Sequence, residues 1–168
     1  MTYYLNLFSP QTWNAARSKK VALTGFRKAQ RGQALKVVPG DIFLCYLVGI
    51  SRWSGALKVA SELYEDDTVF YTEPDPFTIR FKVDPIFVFP QDMSLPIVLD
   101  GLWDKLSITC LFQKGSLGWG NFFQSSLREI SEVDGNLILD RLAAQAAQPV
   151  SYPLTSRDLR KLARYREA

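Results

Sequence analysis

Between residues 42 and 89 the chain passes through three strand-like stretches with no helical pattern separating them. Residues 42–48 form an unbroken apolar run, the pattern of a strand covered on both faces. Residues 55–63 alternate, and so do residues 77–89, where Phe77, Ile79, Phe81 and Val83 fall on one face. A doubly wound sheet needs a helix between successive strands, so that architecture is excluded. Helical signals gather at the two ends of the chain instead. The order predicts an α+β fold: a small curved β-barrel, closed or nearly closed, flanked by helices.

The flanking elements follow from local chemistry. Residues 2–8 read as a strand, ended by Ser9-Pro10 as N-cap and first helical position of a short helix through Trp13 and Ala16. Thr24 is placed to cap a basic helix over residues 26–36, and Pro39-Gly40-Asp41 is a turn. Residues 90–120 are loop-rich, with a helical turn at 99–106. Residues 125–130 and 134–147 read as helices, the second capped by Asp134. Residues 155–168 form a basic amphipathic pattern in which Asp158 stands three residues after Thr155, a capping arrangement. At 168 residues the chain makes one domain, residues 1–153, with 154–168 as a basic helical tail or linker to a partner domain.

Charge is distributed unevenly along this frame. The first forty residues hold seven cations (Arg17, Lys19, Lys20, Arg27, Lys28, Arg31 and Lys36) and no acid. The remaining residues hold 13 basic and all 17 acidic side chains, for a net charge of +3. Phe8, Trp13 and Phe26 interrupt the basic stretch, and Arg52-Trp53 repeats the pairing. A cationic face set with flat rings suits a polymer of phosphates and bases. No secretory pattern opens the chain and no apolar run approaches the ~18 residues that span a bilayer, so a cytoplasmic location is expected. Cys45 and Cys110, each in an apolar stretch, read as buried free thiols.

The sequence contains no histidine, which removes the commonest general base and the zinc sites built from it. Pro74-Asp75 followed by Arg80 and Lys82 lacks the acid that a nuclease centre would place two residues before the lysine. Glu62, Glu65, Asp66, Asp67, Glu73 and Asp75 match no metal-loop spacing and read as a solvated acidic hairpin end. Gly115, Gly118 and Gly120 surround Trp119 without the Lys-Ser/Thr of a phosphate loop. Either the loop presents Trp119 or the ring folds onto the barrel wall. No catalytic residue, metal or cofactor is assigned.

Several ordered segments resemble an EVE domain, a relative of YTH domains in the PUA-like group. They are Tyr4-Leu5-Asn6-Leu7-Phe8-Ser9-Pro10, Gly25-Phe26-Arg27, Pro39-Gly40-Asp41, Ser51-Arg52-Trp53-Ser54-Gly55 and Phe77-Thr78-Ile79-Arg80-Phe81-Lys82-Val83. Ser126-Leu127-Arg128 followed by Asp134-Gly135 has the same look, and the resemblance covers roughly residues 2–145. It implies a curved barrel whose pocket receives one modified base, in a protein that accompanies modification-dependent restriction enzymes. The pocket positions implied are Ser9, Trp13, Phe26 and Trp53. Where YTH cages use tryptophan, the residue after Gly25 is Phe26.

A reader of a base in a duplex must extrude it at a cost of a few kcal/mol, of which stacking on an aromatic returns ~1–3 kcal/mol. Phosphate contacts supply the balance, and Arg27, Lys28, Arg31 and Arg52 stand around the implied mouth. The expectation is therefore a non-enzymatic module that flips a modified cytosine (5-methylcytosine or 5-hydroxymethylcytosine) out of DNA and recruits a nuclease or motor. The alternatives are a reader of N6-methyladenine or RNA, a metal-dependent nuclease using the acidic cluster, and a peptide-binding groove.

Overall fold

The computed structural model describes residues 1–167, with side chains through Arg164. The strands are β1 (Tyr3–Phe8), β2 (Leu23–Phe26), β3 (Ile42–Leu47), β4 (Arg52–Val59), β5 (Tyr64–Glu65), β6 (Ile79–Val88), β7 (Leu95–Pro96) and β8 (Glu129–Ile130). The helices are α1 (Pro10–Ser18), α2 (Arg31–Ala34), α3 (Glu132–Ala147) and α4 (Ser156–Glu167). One mixed sheet runs β2-β6-β4-β3-β1-β8, with β5 beside β6 and β7 beside β4. β1 and β3 are parallel, in register from Tyr3↔Ile42 to Phe8↔Leu47; β3–β4 and β4–β6 are antiparallel.

The sheet is curled. β1 and β2 lie far apart in the strand order, yet the Asn6 side-chain amide donates to the Thr24 hydroxyl at 2.8 Å. That buried bond ties the two strands where no ladder among the described residues joins them, leaving a half-barrel. Alternation on the strands then makes two cores from one sheet. Tyr4, Phe8, Phe43, Cys45, Leu57 and Phe81 fill the inner side with Trp13 and Phe26. Tyr3, Leu5, Leu44, Tyr46 and Trp53 fill the outer side, covered by Ile138 and Leu142 of α3 and by Ile97, Leu102 and Leu106. Gly135 lets α3 sit directly on β1, since a Cβ there would fall 2.1 Å from the Tyr3 ring.

A bulge decides which core receives Trp53. Cys45 pairs with Gly55 but Tyr46 pairs with Trp53, so Ser54 is the extra residue. Its hydroxyl donates to the Cys45 carbonyl at 3.3 Å. Strict alternation would put residues 53, 55 and 57 on the inner face together; the bulge sends Trp53 to the outer face instead.

Other expectations are corrected locally. Ser9 caps α1 as expected, accepting from the Thr12 N–H at 3.1 Å. The basic helix expected over residues 26–36 is largely absent, because Thr24 and Phe26 are strand residues pointing into the inner core. A 3-10 turn at Lys28–Gln30 and the four residues of α2 follow. Residues 125–130 are not helical; a 3-10 segment, Trp119–Gln124, precedes them and they end in β8. α3 is capped by Ser131, not Asp134, whose carboxylate instead accepts from the Ser107 N–H and hydroxyl. Cys45 is buried and free, but Cys110 is exposed.

Candidate nucleic-acid interface

The three rings and one hydroxyl assigned to a common pocket do not share one. Trp13 is fully enclosed; its indole N–H donates to the Phe89 carbonyl at 2.8 Å and its ring meets Phe8 edge-on at 4.9 Å. Phe26 packs in the same inner core, 5.4 Å from Phe43 and 6.2 Å from Phe81. Trp53 is enclosed on the opposite face of the sheet, against Tyr46 at 5.0 Å and Phe123 at 5.8 Å. Ser9 is engaged as the cap of α1. With a sheet between Trp13 and Trp53, no recess for a pyrimidine lies between them. The Cys45 thiol is likewise enclosed, and burial holds it well above its ordinary pKa, unfit for chemistry.

Arg52 is corrected too. Only 3% exposed, its guanidinium donates to the carbonyls of Gln91, Tyr152 and Pro153 and pairs with Asp158 at 3.2 Å. It holds the chain's C-terminal segment rather than facing a phosphate. That segment, expected as a linker, is thereby fastened to the start of β4, and Leu154 and Leu162 pack on the inner core.

Arg27, Lys28 and Arg31 stand exposed, and here the structure does gather charge and rings. The loop over residues 66–78 carries Phe70, Tyr71 and Phe77 in edge contact, with centroids 4.8 and 5.3 Å apart. The Lys19 ammonium lies 4.8 Å above the Phe70 ring, and the Arg27 guanidinium 5.2 Å above Phe77. Arg31 pairs with Glu65 at 3.0 Å, both half in solvent, an interaction that contributes little and is easily exchanged. The Tyr71 hydroxyl accepts from the Gly25 N–H at 3.2 Å, closing the gap between β1 and β2. Burial pushes its pKa up to about 12, with the hydrogen bonds at Thr24 and Gly25 opposing.

The acids beside this rim shape the loop. Asp75 accepts from the Phe70, Tyr71 and Phe77 N–H groups and pairs with buried Arg80 at 3.5 Å. Asp66 accepts from Thr68 and lies 3.6 Å from Arg80. Among the described residues no three acids or cysteines converge as metal ligands.

A second feature lies at the far end of the sheet, where the β3–β4 turn, the glycine-rich loop at 115–120 and the start of α4 enclose a cleft of about 710 Å³. Trp119 is half-buried there, edge-on to Trp103 at 5.1 Å. Trp119, expected either to be presented by the loop or to fold onto the barrel wall, does both. The cleft has no local signal in the sequence, because α4, a tail by its composition, closes one side of it.

No protein-family profile and no curated protein matches the chain. Solved structures do. The Mmi1 YTH domain in complex with RNA superposes with a TM-score of 0.62 at 12% identity, covering 89% of this chain and 82% of that one. The fold is YTH-like. The YTH domain of Zygosaccharomyces rouxii MRB1, in complex with N6-methyladenosine RNA, gives 0.56 at 15% identity over 84% and 83% of the two chains. Rpa0253 from Rhodopseudomonas palustris gives 0.53 at 13% identity over 86% and 94%. The PUA-like barrel expected from sequence is thus the fold found; the restriction-associated EVE type is not shown by these likenesses. Among the described residues no helix is long and apolar enough to cross a membrane.

Proposed function

We propose that this chain is a non-catalytic module that binds single-stranded nucleic acid, RNA in preference to duplex DNA, along the rim of Lys19, Arg27, Lys28 and Arg31. The observation that carries the proposal is the clustering of exposed Lys19, Arg27, Lys28 and Arg31, all from the acid-free first forty residues, beside the half-buried Phe77 ring, with Phe70 buried beneath Lys19. Such a rim tracks a phosphate backbone electrostatically, with Phe77 as the ring within reach of an unstacked base. The Mmi1 and MRB1 domains are solved with RNA, in the second case RNA carrying N6-methyladenosine, and this supports RNA as the polymer. A strand already unpaired also avoids the few kcal/mol of base extrusion. The reading of 5-methylcytosine or 5-hydroxymethylcytosine in DNA depended on a cage of Trp13, Phe26 and Trp53, and those rings are enclosed in two separate cores. In this proposal the chain cuts nothing, and an effector such as a nuclease or motor is supplied by another chain or domain.

Fluorescence anisotropy with a labelled single-stranded RNA oligonucleotide tests the proposal. The double variant Arg27→Glu/Lys28→Glu should bind at least tenfold more weakly than the parent. The plot of log affinity against log salt should be flatter by about 1.4, two phosphate contacts at ~0.7 each. Unchanged affinity and slope would remove the rim from the account.

A further inference from the structure

We infer that the cleft beside Trp119 is a nucleotide subsite: it takes one unpaired base against the Trp119 ring and the adjoining phosphate on Arg157 and Lys161. This deepens the proposed function and rests on it. The rim binds a strand without reading it, whereas the cleft at the opposite end of the sheet is concave and carries the chemistry to hold a base.

Four observations converge on it. The volume, about 710 Å³, falls within the ~300–1,000 Å³ range of small-ligand sites. One wall is aromatic: Trp119 remains half-exposed while its edge contacts with Trp103 at 5.1 Å and Phe123 at 5.9 Å hold the ring in place. A ring fixed in this way stacks a base at little entropic cost. The facing wall is cationic. Asp158 is consumed by Arg52, at 3.2 Å, and by the Thr155 N–H, at 3.0 Å, so its charge is already matched. Arg157 and Lys161 also line the cleft, and among the described residues neither pairs with an acid. The net excess on that wall is two positive charges, which suits a phosphate diester.

The fourth observation is polar. Of four buried side-chain atoms without a hydrogen-bond partner, two, Arg52 Nε and Ser116 Oγ, belong to residues that line the cleft. Buried donors are rarely left unpaired without a functional or solvent reason. A base carries carbonyl and ring-nitrogen acceptors that a donor of either kind can satisfy. Gly115 and Gly118, at φ of 84° and 100°, give the loop bearing Ser116 and Trp119 a backbone path that other residues would resist.

The test uses the intact chain and a single-stranded RNA oligonucleotide, read in two ways. Trp13, Trp53 and Trp103 are buried, so quenching of tryptophan emission by acrylamide reports mainly on Trp119. RNA should protect it from the quencher. Trp119→Ala and, separately, Arg157→Glu/Lys161→Glu should each weaken binding roughly tenfold, the scale of one stacked base; Trp119→Phe should restore most of the loss. The charge variant alters exposed Arg157 and half-exposed Lys161 on α4, and keeps the test valid should the Trp119→Ala chain fold poorly. If the rim variant at Arg27 and Lys28 loses binding while both cleft variants retain it, the subsite is overturned and the rim reading stands. Absence of RNA binding by the parent chain overturns both. Protection of Trp119 by an acidic peptide but not by RNA assigns the cleft to a protein partner and overturns the subsite as stated.

Discussion

The guanidinium of Arg52 holds three carbonyl oxygens and the Asp158 carboxylate in a nearly sealed site, joining the first residue of β4 to the turn that opens α4. Nothing local in Ser51-Arg52-Trp53 distinguishes such an anchor from a surface cation, because its partners lie between 39 and 106 residues later. Removing one partner of a buried pair leaves the other charge and the carbonyls uncompensated. Arg52→Ala should therefore cost about 3–5 kcal/mol in chemical unfolding. It should also speed amide exchange in α4. A change within ~0.5 kcal/mol, as expected of a surface contact, would contradict this placement. Trp13 and Trp53 illustrate the same limit on legibility: polar neighbours in sequence suggested rings at a polar rim, but burial is decided by what the sheet brings over them.

At the scale of elements, the strands were the most legible part. The apolar run of β3 and the alternation of β6 are set by burial on two faces and on one, and β1 with its Ser9 cap followed from residue chemistry alone. Three features were not legible. The Ser54 bulge moves a side chain across the sheet at no cost visible in composition. The basic stretch after Thr24 has helical propensity, but the inner core captures Thr24 and Phe26 and the strand wins. The parallel β1–β3 pairing depends on α1 and β2 crossing between them. The loop over residues 66–78 makes its own prediction through Tyr71. Its hydroxyl pKa is raised from 10.0 to about 12, so the neutral phenol is favoured in the fold. The stability it contributes is present below pH 10 and is lost as pH rises from 10 to 12. Tyr71→Phe should be less stable at pH 8, where the Gly25 N–H loses its partner, and should lose less stability than the parent across that alkaline window. Parallel pH profiles for the two proteins would show that the hydroxyl does not titrate in this environment.

At the scale of the molecule, charge and shape divide between two ends of one curled sheet: a cationic rim around the loop of Phe70 and Phe77, and a cleft walled by Trp119 and α4. The one-sided charge was legible from the first forty residues; the cleft was not, since it is assembled from four separated segments. This division bounds what a base modification can contribute. Without an enclosing cage, a methyl group gains only its own burial, ~0.8 kcal/mol or about fourfold in affinity. Oligonucleotides identical but for one N6-methyladenine should therefore differ by no more than roughly that factor; a hundredfold preference would require an enclosed aromatic site elsewhere in the fold.

The most direct test is an amide chemical-shift map of the intact protein titrated with single-stranded RNA at fixed ionic strength. The account predicts perturbations at Lys19, Arg27, Lys28 and Arg31, together with Ser116 to Gly120 and Arg157, and a quiet outer face along α3. Perturbations centred on α3, or none at either end of the sheet, would contradict it.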